Sequence, residues 1–482
     1  MSLKKQATTG LVWTFAQQFG NQALGFVVSL ILARVLLPEE FGVIGMITVF
    51  IGLGKALVNS GLTQSLIRRK EITEVDLSTI FYFNLFASIL VYCIIYLSAP
   101  LIAEFYNTAI LKDVIRVFGI TFVLTALAAV QGARFIRDMN FKIQALMSIP
   151  STVIGGIVGI SMAYSGYGVW SLVWSSLSST FASTIQLWYF SNWKPKLIFS
   201  FENFKSHYLF GYKLTLAGLL GTLFNNIYTI VIGKFFNASL VGFYTRAQTV
   251  NQLPVTSITT ALDKVTYPMF SKIQDDQKKL KSVYKLIIKS VLFLVAPVLI
   301  TMAALGEPLF RFLFTEKWVP AVPYFQILCI TGLLLPLEKY NLNILKVKGR
   351  SDIYLKLELV RRIITVIIIL LTIRFGIYWL LIGQSLSNIV SYLLNSHYSG
   401  KFIDYTTREQ IVDISPSILF SLISGLLIFI FYLIGKETFN DFGILIIGGT
   451  GSLIIYLVFS WFFNRSTFQH FVNLAENFKK NK

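Results

Sequence analysis

Two cysteines and three histidines in 482 residues leave little for covalent cross-linking or metal chemistry. Cys93 and Cys329 both fall inside apolar stretches, where a small, buried, apolar role suits them better than a disulfide or a metal site. His207, His397 and His470 are scattered without metal-ligand spacing, and no Gly-rich phosphate loop of the P-loop type occurs, so no cofactor is expected. Charge is scarce too: Asp, Glu, Lys and Arg make up 13% of the chain. The longest polar gap, about 264–283, leaves no room for a folded catalytic domain between the apolar stretches.

Apolar sequence fills the chain instead, at 55% hydrophobic residues and a mean hydropathy of +0.68, far above the globular range. Fourteen stretches are long enough to cross a bilayer, at roughly 20 residues each. They lie near 10–36, 41–64, 76–103, 113–133, 143–164, 167–190, 207–232, 238–262, 284–306, 319–345, 353–373, 375–397, 413–434 and 442–464. The first carries Gln17, Gln18, Asn21 and Gln22 and no small-residue cleavage signal, so it reads as a retained helix. Lys and Arg are dense in every second gap and sparse in the others, which places the N-terminus and the tail (Lys479, Lys480, Lys482) in the cytoplasm. The same asymmetry accounts for most of the net charge of +19 and gives no reason to expect a nucleic acid. Anionic headgroups of membrane lipids are the expected partner of that excess.

The chain repeats itself. Leu32-Ala33-Arg34 followed by Phe41-Gly42 matches Ile232-Gly233-Lys234 followed by Val241-Gly242-Phe243 at an offset of 200 residues. Tyr167-Gly168-Val169-Trp170 likewise resembles Phe375-Gly376-Ile377-Tyr378. A repeat of seven spans would invert the second copy, whereas six keeps the loop charges consistent. The expected organisation is an all-α membrane protein with two parallel six-helix bundles, 1–205 and 206–400. Two appended helices at 401–464 and an amphipathic tail at 465–482 follow. In the tail, Phe468, Phe471, Val472, Ala475 and Phe478 keep helical steps. Parallel repeats around a central cavity are a transporter architecture.

Polar residues mark the first two spans of each half. Thr14, Gln18, Asn21 and Gly25 form one stripe; Lys55, Asn59 and Thr63 form another. Thr215, Thr222, Asn226 and Thr229 follow in span seven, and Thr245, Gln248, Gln252, Thr256, Thr259 and Asp263 in span eight. Steps of three and four put each set on one helix face. Amides facing lipid would lose hydrogen bonds, so these faces are expected to meet water or another helix. Lys55, near the middle of its span, is a functional candidate by default, since a central Lys costs about 2.5–3.5 kcal/mol to insert. Lys213 and Arg246 lie about two turns inside their spans, within snorkelling range. Arg361 and Arg362 follow Glu358 at helical pairing distance, and Glu338 and Lys339 are expected near an interface. Spans one and seven lack Asp and Glu, which favours an anionic or sugar-rich cargo over a cation.

Leu32-Ala33-Arg34-Val35-Leu36-Leu37-Pro38-Glu39-Glu40-Phe41-Gly42 resembles the first-loop motif of bacterial Wzx-type polysaccharide flippases. The colanic acid exporter branch is closer still. That resemblance is carried by Asn59-Ser60-Gly61-Leu62-Thr63-Gln64, Phe224-Asn225-Asn226-Ile227-Tyr228, Gly242-Phe243-Tyr244-Thr245-Arg246-Ala247, Tyr267-Pro268-Met269-Phe270-Ser271-Lys272 and Leu345-Lys346-Val347-Lys348-Gly349-Arg350. It implies fourteen helices in the bacterial inner membrane that move a polyprenyl-diphosphate-linked oligosaccharide between leaflets, alongside glycan polymerase machinery. The family has no fixed catalytic residues to carry over. The substrate path therefore rests on the residue reading: Lys55, Arg246 and Lys213 for charge, and Gln18, Asn21, Asn59, Asn226 and Gln252 for sugar hydroxyls. The rivals are a cation-coupled exporter of the same fold, which needs a membrane carboxylate, and a membrane glycan polymerase, which needs a sizeable outer loop.

Overall fold

The computed structural model describes residues 3–59, 61–69, 71–465 and 467–469, and among them all regular structure is helical. The chain divides into two compact units, Met1–Gly242 and Phe243–Lys482. The first contains α1 (Leu3–Val35), α2 (Pro38–Asn59), α3 (Leu62–Arg68), α4 (Glu74–Phe105), α5 (Leu111–Phe118), α6 (Ile120–Arg137), α7 (Phe141–Tyr164), α8 (Val169–Phe190), α9 (Phe201–Asn225) and α10 (Ile227–Phe235). The helix α11 (Ala238–Lys272) begins in the first unit and continues into the second. There follow α12 (Gln277–Ala304), α13 (Gly306–Phe314), α14 (Val322–Val347), α15 (Ser351–Thr372), α16 (Ile377–Ile403), α17 (Thr407–Gly435) and α18 (Asp441–Phe463). Each of the fourteen stretches read from the sequence falls on one helix or on a pair separated by a short break. Among the described residues, nine helices are long and apolar enough to cross a membrane, or ten with one bent pair counted as a span. Large apolar side chains such as Leu97, Leu101, Leu426, Ile434 and Phe462 point outward, while Asn84, Ser88, Gln131, Ser421 and Ser424 are buried. That arrangement suits a lipid solvent, where backbone groups are satisfied within helices.

Two sequence readings need correction. Span two does not run unbroken to Gln64. The helix α2 ends at Asn59, and Gly61 takes a left-handed conformation at φ 65° before α3. A Cβ at Gly61 would meet the backbone of Gly211, so the turn needs glycine both for its torsion and for the close approach. Thr63 therefore stands on a separate helix and not one turn beyond Asn59. Cys93, expected to be buried, is exposed on the outside of α4, whereas Cys329 is buried as expected. In the tail, residues 470–482 lie outside the described residues, so the amphipathic reading is untested there.

A buried cluster fixes the start of α9. Thr73 and Asp76 form a capping box at the N-terminus of α4, each side chain bonding the other's backbone N–H. Asp76 Oδ1 also accepts from Arg69 (2.8 Å) and Asn203 (2.9 Å) and lies 3.2 Å from His207 Nε2. The other ring nitrogen of His207 is 2.7 Å from Ser65 Oγ. The segment leading into α9 is strapped along α4, with Lys196 N–H bonded to Ser78 Oγ and Ser200 N–H to Thr79 Oγ1. His207, which the sequence left as a scattered residue, is thus a buried anchor.

The two stretches matched at an offset of 200 residues meet in a reciprocal contact within the first unit. A Cβ on Gly42 would overlap the carbonyl of Ala238, and one on Gly242 would overlap the carbonyl of Pro38. Positions 38 and 42 thus meet 238 and 242 as mirror contacts, and only glycine allows both backbones so near.

Candidate functional site

In the second unit, α11, α14 and α15 enclose a cavity of about 420 Å³. Its wall includes Gln252 and Thr256 from α11, Glu338 and Asn343 from α14, and Tyr354 and Arg361 from α15. The four-residue step from Gln252 to Thr256 puts both on one face of α11. Thr256 and Thr259 give their hydroxyl protons to the carbonyls of Gln252 and Val255, both at 2.7 Å, which leaves oxygen lone pairs available. Glu338 is 3% exposed and pairs through Oε2 with Arg361 at 3.1 Å. Arg361 also bonds Glu358 at 3.0 Å, and Arg362 lies 3.8 Å from the same carboxylate.

The expected Glu358–Arg361 pairing is therefore present, while Glu338 departs from its expected interfacial position. The helix α14 runs on to Val347, so Glu338 lies more than two turns from its end, inside the packed unit. A buried carboxylate there requires a cation beside it, because an unpaired buried charge is strongly destabilising. Sequence spacing alone could not bring α14 to α15. The available signal was an acidic residue inside one apolar stretch and an Arg pair inside the next.

Of the eight candidate residues, the cavity takes in Gln252. Arg246, in the same unit, is 4% exposed and packs against aromatic rings, 5.0 Å from the Phe314 centroid and 5.2 Å from that of Trp318. The other six belong to the first unit. Lys55 is half-buried, and among the described residues no carboxylate lies within ion-pair reach of it. The helices α2 and α9–α10 run antiparallel, since Met46, Gly52 and Gly61 face Gly233, Thr222 and Gly211 in turn. That register sets Lys55 level with Gly218, where nothing stands within 4 Å of a Cβ, and the same holds at Gly221.

Gln18 and Lys213 are exposed, with Lys213 Nζ 5.9 Å from the Tyr212 ring centroid. Asn21 is half-buried and accepts from Thr152 at 3.3 Å. Asn226 gives its amide to the Thr222 carbonyl (2.8 Å) at a 48° bend between α9 and α10. The Asn59 side chain lies outside what the structure describes. The bend was not foreseen; the adjacent Asn225 and Asn226 were its signal, since Asn side chains compete for helix backbone groups.

Buried charge pairs, a cavity with polar groups in its wall and a long series of lipid-length helices define a membrane transport protein. The chain belongs to the family described as polysaccharide biosynthesis protein, which it matches over residues 31–323. It is 26% identical over 358 residues to the lipopolysaccharide biosynthesis protein WzxC of Escherichia coli (strain K12), covering 74% of this chain and 73% of that one. It is 24% identical to the succinoglycan biosynthesis transport protein ExoT of Rhizobium meliloti (strain 1021), covering 75% and 73%. The resemblance to Wzx-type flippases is borne out. In fold it is similar to the lipid II flippase MurJ in an inward closed conformation, with a TM-score of 0.75 at 16% identity over 95% of this chain and 99% of that one. It also resembles an inward-facing multidrug resistance MATE family transporter, with a TM-score of 0.64 at 16% identity over 80% and 94%.

Proposed function

We propose that the protein is a flippase that carries a polyprenyl-diphosphate-linked oligosaccharide from the cytoplasmic to the periplasmic leaflet of a bacterial inner membrane. The observation that carries this reading is Lys55: a half-buried ammonium within a span, without a described carboxylate partner, in a chain of the polysaccharide biosynthesis family. A diphosphate and several sugars cannot cross hydrocarbon without a polar path, since charged groups shed water only at great cost. Amides at Gln18, Asn21 and Gln252 lie on spans that also offer hydroxyls. In this reading the chain crosses the membrane fourteen times, its two six-helix halves alternate access, and both termini are cytoplasmic. Binding and movement of cargo, with no bond made or broken, are its whole task, and a polymerase uses what it delivers. A cation-coupled exporter would need a membrane carboxylate free to exchange its cation, whereas Glu338 is committed to Arg361.

The test is lipid translocation in proteoliposomes. A fluorescent polyprenyl diphosphate saccharide is quenched from outside, and the purified protein is expected to bring inner-leaflet label into reach. If quenching stops at the outer-leaflet label, as in protein-free vesicles, the flippase reading fails. Topology is checked separately: a reporter fused after Lys205 is expected in the cytoplasm and one near Lys436 in the periplasm. A cytoplasmic reporter at Lys436 would rule out the fourteen-span arrangement.

A further inference from the structure

Lys281, Lys285 and Lys289 follow one another at four-residue steps on one face of α12, against the first turns of α17. They are held in place from behind. Asp413 of α17, its side chain 12% exposed, accepts from Lys285 at 2.8 Å, from Lys289 at 3.0 Å and from the Tyr405 hydroxyl at 2.7 Å. Tyr405 is fully buried, and its ring centroid lies 5.7 Å from the Lys281 ammonium and 6.0 Å from that of Lys285. Glu409 takes Lys281 at 3.1 Å. Arg408 beside it is exposed and makes no ion pair among the described residues. Four cations therefore share two carboxylates.

A surface cleft of about 470 Å³ lies in front of this cluster, walled by Lys285, Thr406, Arg408, Glu409, Val412 and Asp413. Both carboxylates in its wall are already bonded to ammonium groups, whereas the Arg408 guanidinium keeps its donors and Lys285 keeps donors beyond the one it spends. Surplus positive charge and spare N–H donors suit a phosphate, and the ammonium of a zwitterionic headgroup would be repelled. The position of the cleft names what carries the phosphate. The apolar stretches near 284–306 and 413–434 begin at its edge, so it sits at headgroup level where α12 and α17 enter the membrane. In the fourteen-span topology that is the cytoplasmic side. From Val412, the exposed positions Ser415, Leu419, Leu422 and Leu426 continue in steps of three and four along one face of α17. A lipid whose phosphate fills the cleft can lay its acyl chains along that face.

We infer that this cleft binds the headgroup of an anionic phospholipid, phosphatidylglycerol in its chemistry, from the cytoplasmic leaflet. The inference goes beyond the flippase reading and takes from it the topology alone.

In the full-length protein, exposed Ser415 is exchanged for photoreactive benzoylphenylalanine, and the protein is placed in nanodiscs of equal parts phosphatidylglycerol and phosphatidylethanolamine. Lipid adducts at that position are counted by mass spectrometry after illumination. Phosphatidylglycerol adducts are expected to exceed phosphatidylethanolamine adducts on the order of tenfold, as two surplus cations at a membrane surface supply. Arg408→Gln, which breaks no described ion pair, lowers that ratio roughly fivefold, the worth of one cation there. Lys285→Gln added to it brings the ratio near parity. Lys196→Gln, an equal loss of charge at an exposed position of the first unit, leaves the ratio unchanged. Millimolar glycerol 3-phosphate does not displace the lipid, because the acyl chains contribute. Absent or unbiased adducts, a ratio unmoved by both cleft variants, or an equal fall with Lys196→Gln overturns the site. Displacement by glycerol 3-phosphate overturns it too, by making the cleft a site for free phosphate esters. None of these results bears on translocation of the glycan lipid, so the flippase reading stands or falls by its own assay.

Discussion

Replacing Lys55 by alanine is expected to abolish glycan export while leaving the protein in the membrane at normal abundance. A lysine near the middle of a span costs about 2.5–3.5 kcal/mol to insert, so its removal should ease insertion and not impair it. No described carboxylate is left unpaired by the change, because none pairs with Lys55 now. What is lost is a half-buried cation on α2 with no described carboxylate partner. Lys55→Arg should keep part of the activity, since charge matters more than shape for a passing diphosphate, although the guanidinium is bulkier and forked. Asn59→Ala should be milder, because water can replace a hydroxyl contact. Translocation in proteoliposomes, set against abundance by immunoblot, decides the matter. Normal export by Lys55→Ala would remove Lys55 from the path, and loss of the protein itself would show a structural role.

The largest effect on stability is expected at Asp76. Its carboxylate, on a residue 2% exposed, accepts from Thr73 N–H and Oγ1, Arg69 and Asn203 and faces His207. Asp76→Ala would remove the capping box and the counter-charge of Arg69 and leave several buried donors without an acceptor. Leaving a buried hydrogen-bond donor without an acceptor typically costs about 1–3 kcal/mol. Asp76→Asn should lose less, since the amide oxygen still accepts. The measurement is thermal unfolding of the purified protein in detergent. An unfolding temperature for Asp76→Ala equal to that of the wild type would show the cluster to be incidental.

Much of this fold is legible in the sequence, because lipid imposes a length and a composition on every span. The helices, the repeat between Gly42 and Gly242 and the Glu358–Arg361 pair all follow from local spacing. The breaks did not, because Gly61 and Asn226 act through a torsion and a bend that leave hydropathy unchanged. Nor did the contacts that join remote segments. Asp76 meets His207 across 131 residues, and Glu338 meets Arg361 on the next helix. Periodicity places a residue on a helix face without saying which helix it faces. For that reason the polar stripe on α11 was visible, whereas Asn343 and Glu338 on α14 were not recognised as cavity groups.

The bent pair α9–α10 and the unbroken α4 are related as a bow is to its string. The lower end of the bow is tied to the string at Asp76 through Asn203 and His207, and the upper end at Phe105, whose carbonyl accepts from Lys234 Nζ at 2.8 Å. At 1.5 Å per residue, α4 is about 48 Å long, and two helical pieces of the lengths of α9 and α10 meeting at the observed bend also span about 48 Å. Straightened, the same pieces would reach about 51 Å and outrun the string. Straightening the bow would pull on both knots. The upper one, an ammonium on a carbonyl at an exposed position, is weaker than the buried lower one.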